Sequence, residues 1–251
     1  DISVDKKIEL LAASKDEFPG LYIALQQHGH ATAITAYINA INSISGINTA
    51  KKIELLAAKN KDKFPGLYAA LREGHAAAVT AYINAINSIS GINTAKKIEL
   101  LAAKNKDKFP GLYAALRKGH AAAVTAYIKA INSISDISLA KKIKLLAAKD
   151  KDKFPGLYIA LQNGHADTVA VYLKINDHDN SYANYIMQEY KGSRKIFKNQ
   201  LLKWAQNYKP EKMKKKEDYS LLISLLSFNR NFISNNLTKS MKVLNNIPHW
   251  Q

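Results

Sequence analysis

Cysteine is absent from this 251-residue chain. Disulfides and thiolate-held metals are therefore excluded, no thiol nucleophile exists, and stability rests on packing alone. Oxidising and reducing compartments are equally permitted. Long apolar runs are also missing: the longest candidate, 221–228, falls well short of the roughly 20 residues that cross a bilayer. The sequence opens at Asp1 with neither Met nor a basic-then-apolar leader, so it reads as a fragment or a processed product. There is no Gly-rich phosphate loop, no H-E-x-x-H, and no set of paired carboxylates that the spacing would bring to one pocket. Neither catalysis nor a cofactor is expected of this chain, although a catalytic domain upstream is allowed.

Acidic residues are in deficit. Lys+Arg number 37 against 20 Asp+Glu, a net charge of +17. Up to residue 176 the balance is 24 against 14, or +10; beyond it, 13 against 6, or +7. Such a charge suits acidic partners, nucleic acid or anionic membrane, and it also keeps a long exposed array soluble.

What the chain has instead is a repeat. Lys-Lys recurs at 6, 51, 96 and 141, a fixed step of 45 residues, and Gly-His recurs at 29, 74, 119 and 164. A fixed period of this length marks an array of stacked supersecondary units. The third copy shows the plan. The spacing predicts a first helix over about 94–104, with Ile98, Leu101 and Ala102 on one face. Ser3, Asn48, Asn93 and Ser138 stand three residues before the four Lys pairs, where a short side-chain oxygen caps the first turn. A second helix is predicted over about 110–118, opened by Pro110 and closed by Gly119, with Leu112, Ala115 and Leu116 on one side. A third runs over about 121–132, with small Ala122, Ala123 and Ala126 beside bulky Val124, Tyr127, Ile128 and Ile131. Gly46 and Gly91 in the exit turn become Asp136 in the third copy. The first copy lacks one residue in Ser14-Lys15-Asp16-Glu17 and gains His28 before Gly29, so the period survives. Both changes fall in predicted loops.

Phe109-Pro110-Gly111-Leu112-Tyr113-Ala114-Ala115-Leu116-Arg117-Lys118-Gly119-His120-Ala121-Ala122-Ala123-Val124 resembles the ankyrin pattern T-P-L-H-x-A-A-x-x-G-H-x-x-x-V. The Gly-His turn and the valine four residues after its histidine coincide. Pro-Gly stands for Thr-Pro, Tyr113 for His and Leu116 for Ala, and the period is 45 against about 33. The E-L-L-A-A-K block ahead of P-G-L-Y-x-A-L-x-x-G-H-A is similar to ankyrin-like repeats of type III secreted effectors of Gram-negative pathogens. The resemblance covers about residues 3–175. Armadillo and HEAT repeats have a compatible length, but the Gly-His turn argues against them.

The expected architecture is thus an all-α solenoid of four ankyrin-like units (about 1–46, 47–91, 92–136 and 137–176), three helices each. A basic helical C-terminal cap over 177–251 follows, with helices at about 181–191, 194–208, 219–229 and 232–245. Nothing caps the opposite end, where the chain starts on a repeat helix. The resemblance implies a monomeric protein-interaction module that recognises another protein, a host protein, after secretion into the host cytoplasm. The expected contacts lie on the second helix, which lines the groove in the ankyrin family, at the positions where the copies differ. These are Ile23, Gln26 and Gln27; Ala69, Arg72 and Glu73; Ala114, Arg117 and Lys118; and Ile159, Gln162 and Asn163. In the tail, Arg194, Lys195, Lys198 and Lys203 interleave with apolar residues as a basic amphipathic helix does, which suits a membrane surface or an acidic protein. The alternatives are nucleic-acid binding through a basic face, interrupted by Asp16, Asp62, Asp107 and Asp152, or substrate binding for a larger effector enzyme.

Three repeated features carry weaker chemistry. His30, His75, His120 and His165 should sit one unit apart, about 10 Å, too far to share a metal and placed to bond neighbouring backbone. His178 between Asp177 and Asp179 reads as a solvated cap. Tyr22, Tyr68, Tyr113 and Tyr158 form a column expected in the core or groove, with hydroxyls at its edge. Glu9, Glu54 and Glu99, with Lys144 in the fourth copy, mark a surface helix position.

Overall fold

The computed structural model describes residues 2–151 and 155–175. Each 45-residue period folds as three helices. The first helices are α1 (Val4–Ala12), α4 (Thr49–Ala57), α7 (Thr94–Ala102) and α10 (Leu139–Ala147). The second are α2 (Gly20–Gln26), α5 (Gly66–Glu73), α8 (Gly111–Lys118) and α11 (Gly156–Gln162). The third are α3 (Ala31–Ser43), α6 (Ala76–Ser88), α9 (Ala121–Asn132) and α12 (Ala166–Ile175). The described fold is all-α apart from one two-stranded hairpin and an isolated bridge between Lys59 and Pro65.

Local chemistry accounts for the starts and stops. Ser3, Asn48 and Asn93 each accept the N–H three residues on, at 3.2, 2.8 and 2.9 Å. Ser138 holds the N-cap position of α10, but its side chain makes no capping bond, so the expectation fails there in its chemistry. Pro19, Pro65 and Pro110 are the N-caps of the second helices, with φ between −58° and −67°. Gly74 and Gly119 close α5 and α8 at φ +84° and +78°, and the N–H of the following histidine bonds back to Ala70 and Ala115, as in a Schellman motif.

The loop between first and second helices shows what the indel in unit 1 does. In units 2 and 3, Asn60 and Asn105 brace it from within, accepting the N–H of Phe64 (2.8 Å) and of Phe109 (2.9 Å). In unit 1 this loop is one residue shorter and lacks the asparagine. There β1 (Ser14–Lys15) and β2 (Phe18–Pro19) pair antiparallel around Asp16 and Glu17, both at positive φ. Two positive φ values are what a two-residue type I′ hairpin needs.

The units pack in two layers. Each second helix lies against the second helix of the next unit, α2 on α5, α5 on α8 and α8 on α11; the third helices form a parallel series, α3, α6, α9 and α12. The first helices touch the third helices beside them and one another more lightly. One apolar core runs through all four units, from Leu21 and Ile34 to Val169 and Tyr172.

Because α5 and α8 have a neighbour on each side, they are buried almost all round. Gly111 to Leu116 are buried without a break, so α8 is not the one-sided helix that its apolar spacing suggests. The Phe-Pro-Gly glycines of units 2 to 4 are points of close approach between units. A methyl group on Gly66, Gly111 or Gly156 would come within 2.6, 2.7 and 2.5 Å of Leu25, Leu71 and Leu116 of the unit before. Helix termini are also tied across the unit. The hydroxyls of Tyr37, Tyr82 and Tyr127 in the third helices donate to the carbonyls of Leu11, Leu56 and Leu101 near the ends of the first, at 2.7, 2.7 and 2.8 Å, and Tyr172 does the same to Leu146. Each bond satisfies a carbonyl that the helix end leaves without an intrahelical partner.

Candidate interaction surface

The ends of the second helices collect the residues that differ between otherwise similar units. The scaffold beneath them is built from a repeated bond. His75, His120 and His165 donate an Nε2 hydrogen to the carbonyls of Gln26, Arg72 and Arg117, one unit back, at 2.7, 3.0 and 2.8 Å. An imidazole that donates from Nε2 in its neutral form carries its proton there, which fixes the tautomer. The accepting carbonyls belong to the final turns of α2, α5 and α8, so each histidine closes the helix end of the preceding unit. The fit is tight: a methyl group on Gly74 or Gly119 would meet the His120 or His165 ring at 2.9 or 2.7 Å. The Gly-His pair is therefore one half of a joint whose other half lies in the neighbouring unit. His28, the extra residue of unit 1, packs edge-on against His75 with ring centres 5.5 Å apart.

On this frame the expected contact residues divide. Gln27, Arg117, Lys118, Gln162 and Asn163 are exposed, and Ile23, Gln26, Arg72, Glu73 and Ile159 are half-buried. Ala69 and Ala114 are buried and belong to the packing of the helix stack, not to its outer face. Their small side chains sit where the flanking helices close over the middle units. Two cross-unit links tie the row together. Lys118 reaches Glu73 of the previous unit at 3.3 Å, while Arg72 holds the same carboxylate at 2.6 Å. Asn163 donates to the carbonyl of Arg117 at 2.9 Å. Burial pushes the Glu73 pKa up, but the hydrogen bonds and charges of Arg72 and Lys118 outweigh it and leave the carboxyl below its ordinary value. The basic-tail residues Arg194, Lys195, Lys198 and Lys203 lie outside the described residues, as does His178.

Three members of the tyrosine column lie in the core; the fourth, Tyr158, is half-buried. Tyr22, Tyr68 and Tyr113 are buried, each packed on the phenylalanine four residues earlier. Tyr22 and Tyr68 accept from the amides of Asn60 and Asn105 of the next unit, at 3.3 and 3.4 Å. In the fourth unit Asp150 replaces the asparagine, and a carboxylate can only accept, so Tyr113 donates to it at 3.3 Å. These rings offer no exposed face on which a base could stack.

A second surface is basic. The loops between first and second helices expose Lys59, Lys61 and Lys63 around Asp62, and Lys104, Lys106 and Lys108 around Asp107. Each carries three positive charges to one negative, so the aspartates reduce the basic edge without cancelling it. On the first helices Lys6, Lys51 and Lys96 pair with Glu9, Glu54 and Glu99 at 2.7–2.8 Å, exposed pairs that contribute little stability. Lys97 differs: it is buried and pairs with Asp136 at 2.9 Å, which gives a role to the aspartate that replaces Gly46 and Gly91. Among the described residues no three His, Asp or Glu side chains gather as a metal site would need, and no helix is long and apolar enough to cross a membrane. No protein-family model matches this sequence, and no curated protein matches it either.

The sequence pattern put these positions on the second helices but did not reveal that Ala69 and Ala114 are buried, nor the tyrosine bonds between third and first helices. The 26-residue interval from Leu11, Leu56, Leu101 and Leu146 to the third-helix tyrosines was present in every copy, and an invariant polar group within a packed helix was the available signal.

Proposed function

We propose that this chain is a protein-interaction module: a solenoid of ankyrin-like units that recognises another protein along the ends of its second helices. The observation that carries this is the contrast within each unit. The joint residues repeat, while the partly or fully exposed positions beside them change from Gln26-Gln27 to Arg72-Glu73, Arg117-Lys118 and Gln162-Asn163. A fixed backbone that carries one changing pair per unit is suited to reading an extended partner surface. In this proposal the partner is a host protein, and the chain is the target-recognition part of a secreted effector, in keeping with the resemblance of its repeats.

The test is affinity capture with the intact chain and with a Gln27→Ala, Arg117→Ala, Lys118→Ala variant of unchanged melting temperature. A protein retained by the first and released by the second supports the assignment. Equal retention by both contradicts it.

Nucleic-acid binding is the alternative, and the exposed loop lysines favour it. They lie in the loops and not on the second helices, so substitutions at Lys61, Lys63, Lys106 and Lys108 would distinguish the two readings.

A further inference from the structure

We propose that the leading face of unit 1 is a docking surface for one more unit of the same repeat. Units 2 to 4 show what this face is built to receive, because each presents it to the unit before. Leu55 and Leu145 are 6% and 7% exposed and Leu100 is half-buried; Leu10, the same position in unit 1, is 57% exposed. Ala13 and Ala33 are likewise exposed where Ala58 and Ala78 are buried. Ile2 adds to the patch: it is 54% exposed where Ile92 and Ile137 are buried. Apolar positions exposed here and covered in the following units mark a contact site.

Shape and polarity carry the proposal further. Gly66, Gly111 and Gly156 each admit a leucine of the preceding second helix at a distance that leaves no room for a methyl group. Gly20 keeps the same residue, yet nothing lies within 4 Å of the place its methyl would occupy. His75, His120 and His165 each donate to a helix-end carbonyl one unit back; His30 has no such carbonyl among the described residues. Unit 1 thus holds the glycine notch, the imidazole donor and the apolar patch of the inter-unit joint. The complementary surface is the trailing face of a unit like unit 3, with Leu116 for the notch and the Arg117 carbonyl for the imidazole. This is independent of what the variable row binds.

The experiment adds that unit to the full chain. A second copy of residues 92–136 is joined directly to Ile2, which preserves the 45-residue period. Hydrogen exchange is then read over 4–12 and 31–43 and compared with the original chain. Docking predicts exchange slowed at least about tenfold in both segments and a higher melting temperature, as expected when a frayed end becomes an interior unit. Gly20→Ala supplies the control. In the original chain it meets open space and leaves exchange and melting unchanged. In the extended chain it blocks the notch and removes the gain. Protection that survives Gly20→Ala, or none at all, overturns the proposal. So does protection of 4–12 that appears in the original chain as its concentration rises, because the occupant would then be a second copy.

Discussion

A single methyl group tests how the units fit together. Gly111→Ala would place a carbon 2.7 Å from Leu71 and 3.2 Å from the Tyr68 backbone, and backbone cannot swing aside. We expect a loss of about 1–3 kcal/mol, the usual cost of overpacking. Gly20→Ala, in open space, should be neutral. Paired urea melts check this, and equal effects at the two sites would show that the notch is not a close contact. The third-helix tyrosines give a pH prediction. Burial pushes the Tyr37 hydroxyl up to about 12 and those of Tyr82, Tyr127 and Tyr172 well above the ordinary value. Unfolded tyrosines ionise near 10.0 while the folded ones stay protonated. Their contribution is therefore complete below that pH and is lost as pH rises toward the folded values. Thermal melts between pH 8 and 12 should show stability falling above pH 10, less steeply in Tyr37→Phe. Tyr127→Phe should cost about 1–3 kcal/mol at neutral pH, because it leaves the Leu101 carbonyl buried without its donor.

At the scale of the helix, the sequence was informative wherever a local rule decides the outcome. Asn48, Asn93, Pro65, Pro110, Gly74 and Gly119 start and stop helices through their own backbones or nearest neighbours, and the three-helix unit followed from them. The faces of the second helices were less legible. Leu112, Ala115 and Leu116 suggested one apolar side, but in the stack Ala114 is buried too, because a helix covers each flank. Likewise, the partner of His120 is a carbonyl 48 residues earlier, and no local pattern reveals it. Leu116 is fully buried, and Leu116→Ala should cost about 2–5 kcal/mol. Since each unit is held mainly by its neighbours, the loss should spread to units 2 and 4 and broaden the denaturation curve. A midpoint that does not move would contradict this packing.

For the whole molecule, the charge of +17 raises the question of partner class. The exposed loop lysines are interrupted by one aspartate per loop, Asp62 and Asp107, so attraction to polyanions is expected to be weak and diffuse. Labelled DNA and RNA should bind at 50 mM salt and release near 150 mM, the signature of counterion release without a specific site. Sub-micromolar binding at the higher salt would favour the nucleic-acid alternative. The most direct test of the central claim places a photo-crosslinking side chain in the full chain at Lys118, on the variable row, or at Lys129, exposed on α9. In nuclease-treated host-cell extract, Lys118 should yield a discrete protein adduct that Lys129 does not. The same adducts from both positions, or adducts that disappear with nuclease, would contradict the assignment of the second-helix ends as a protein-recognition surface.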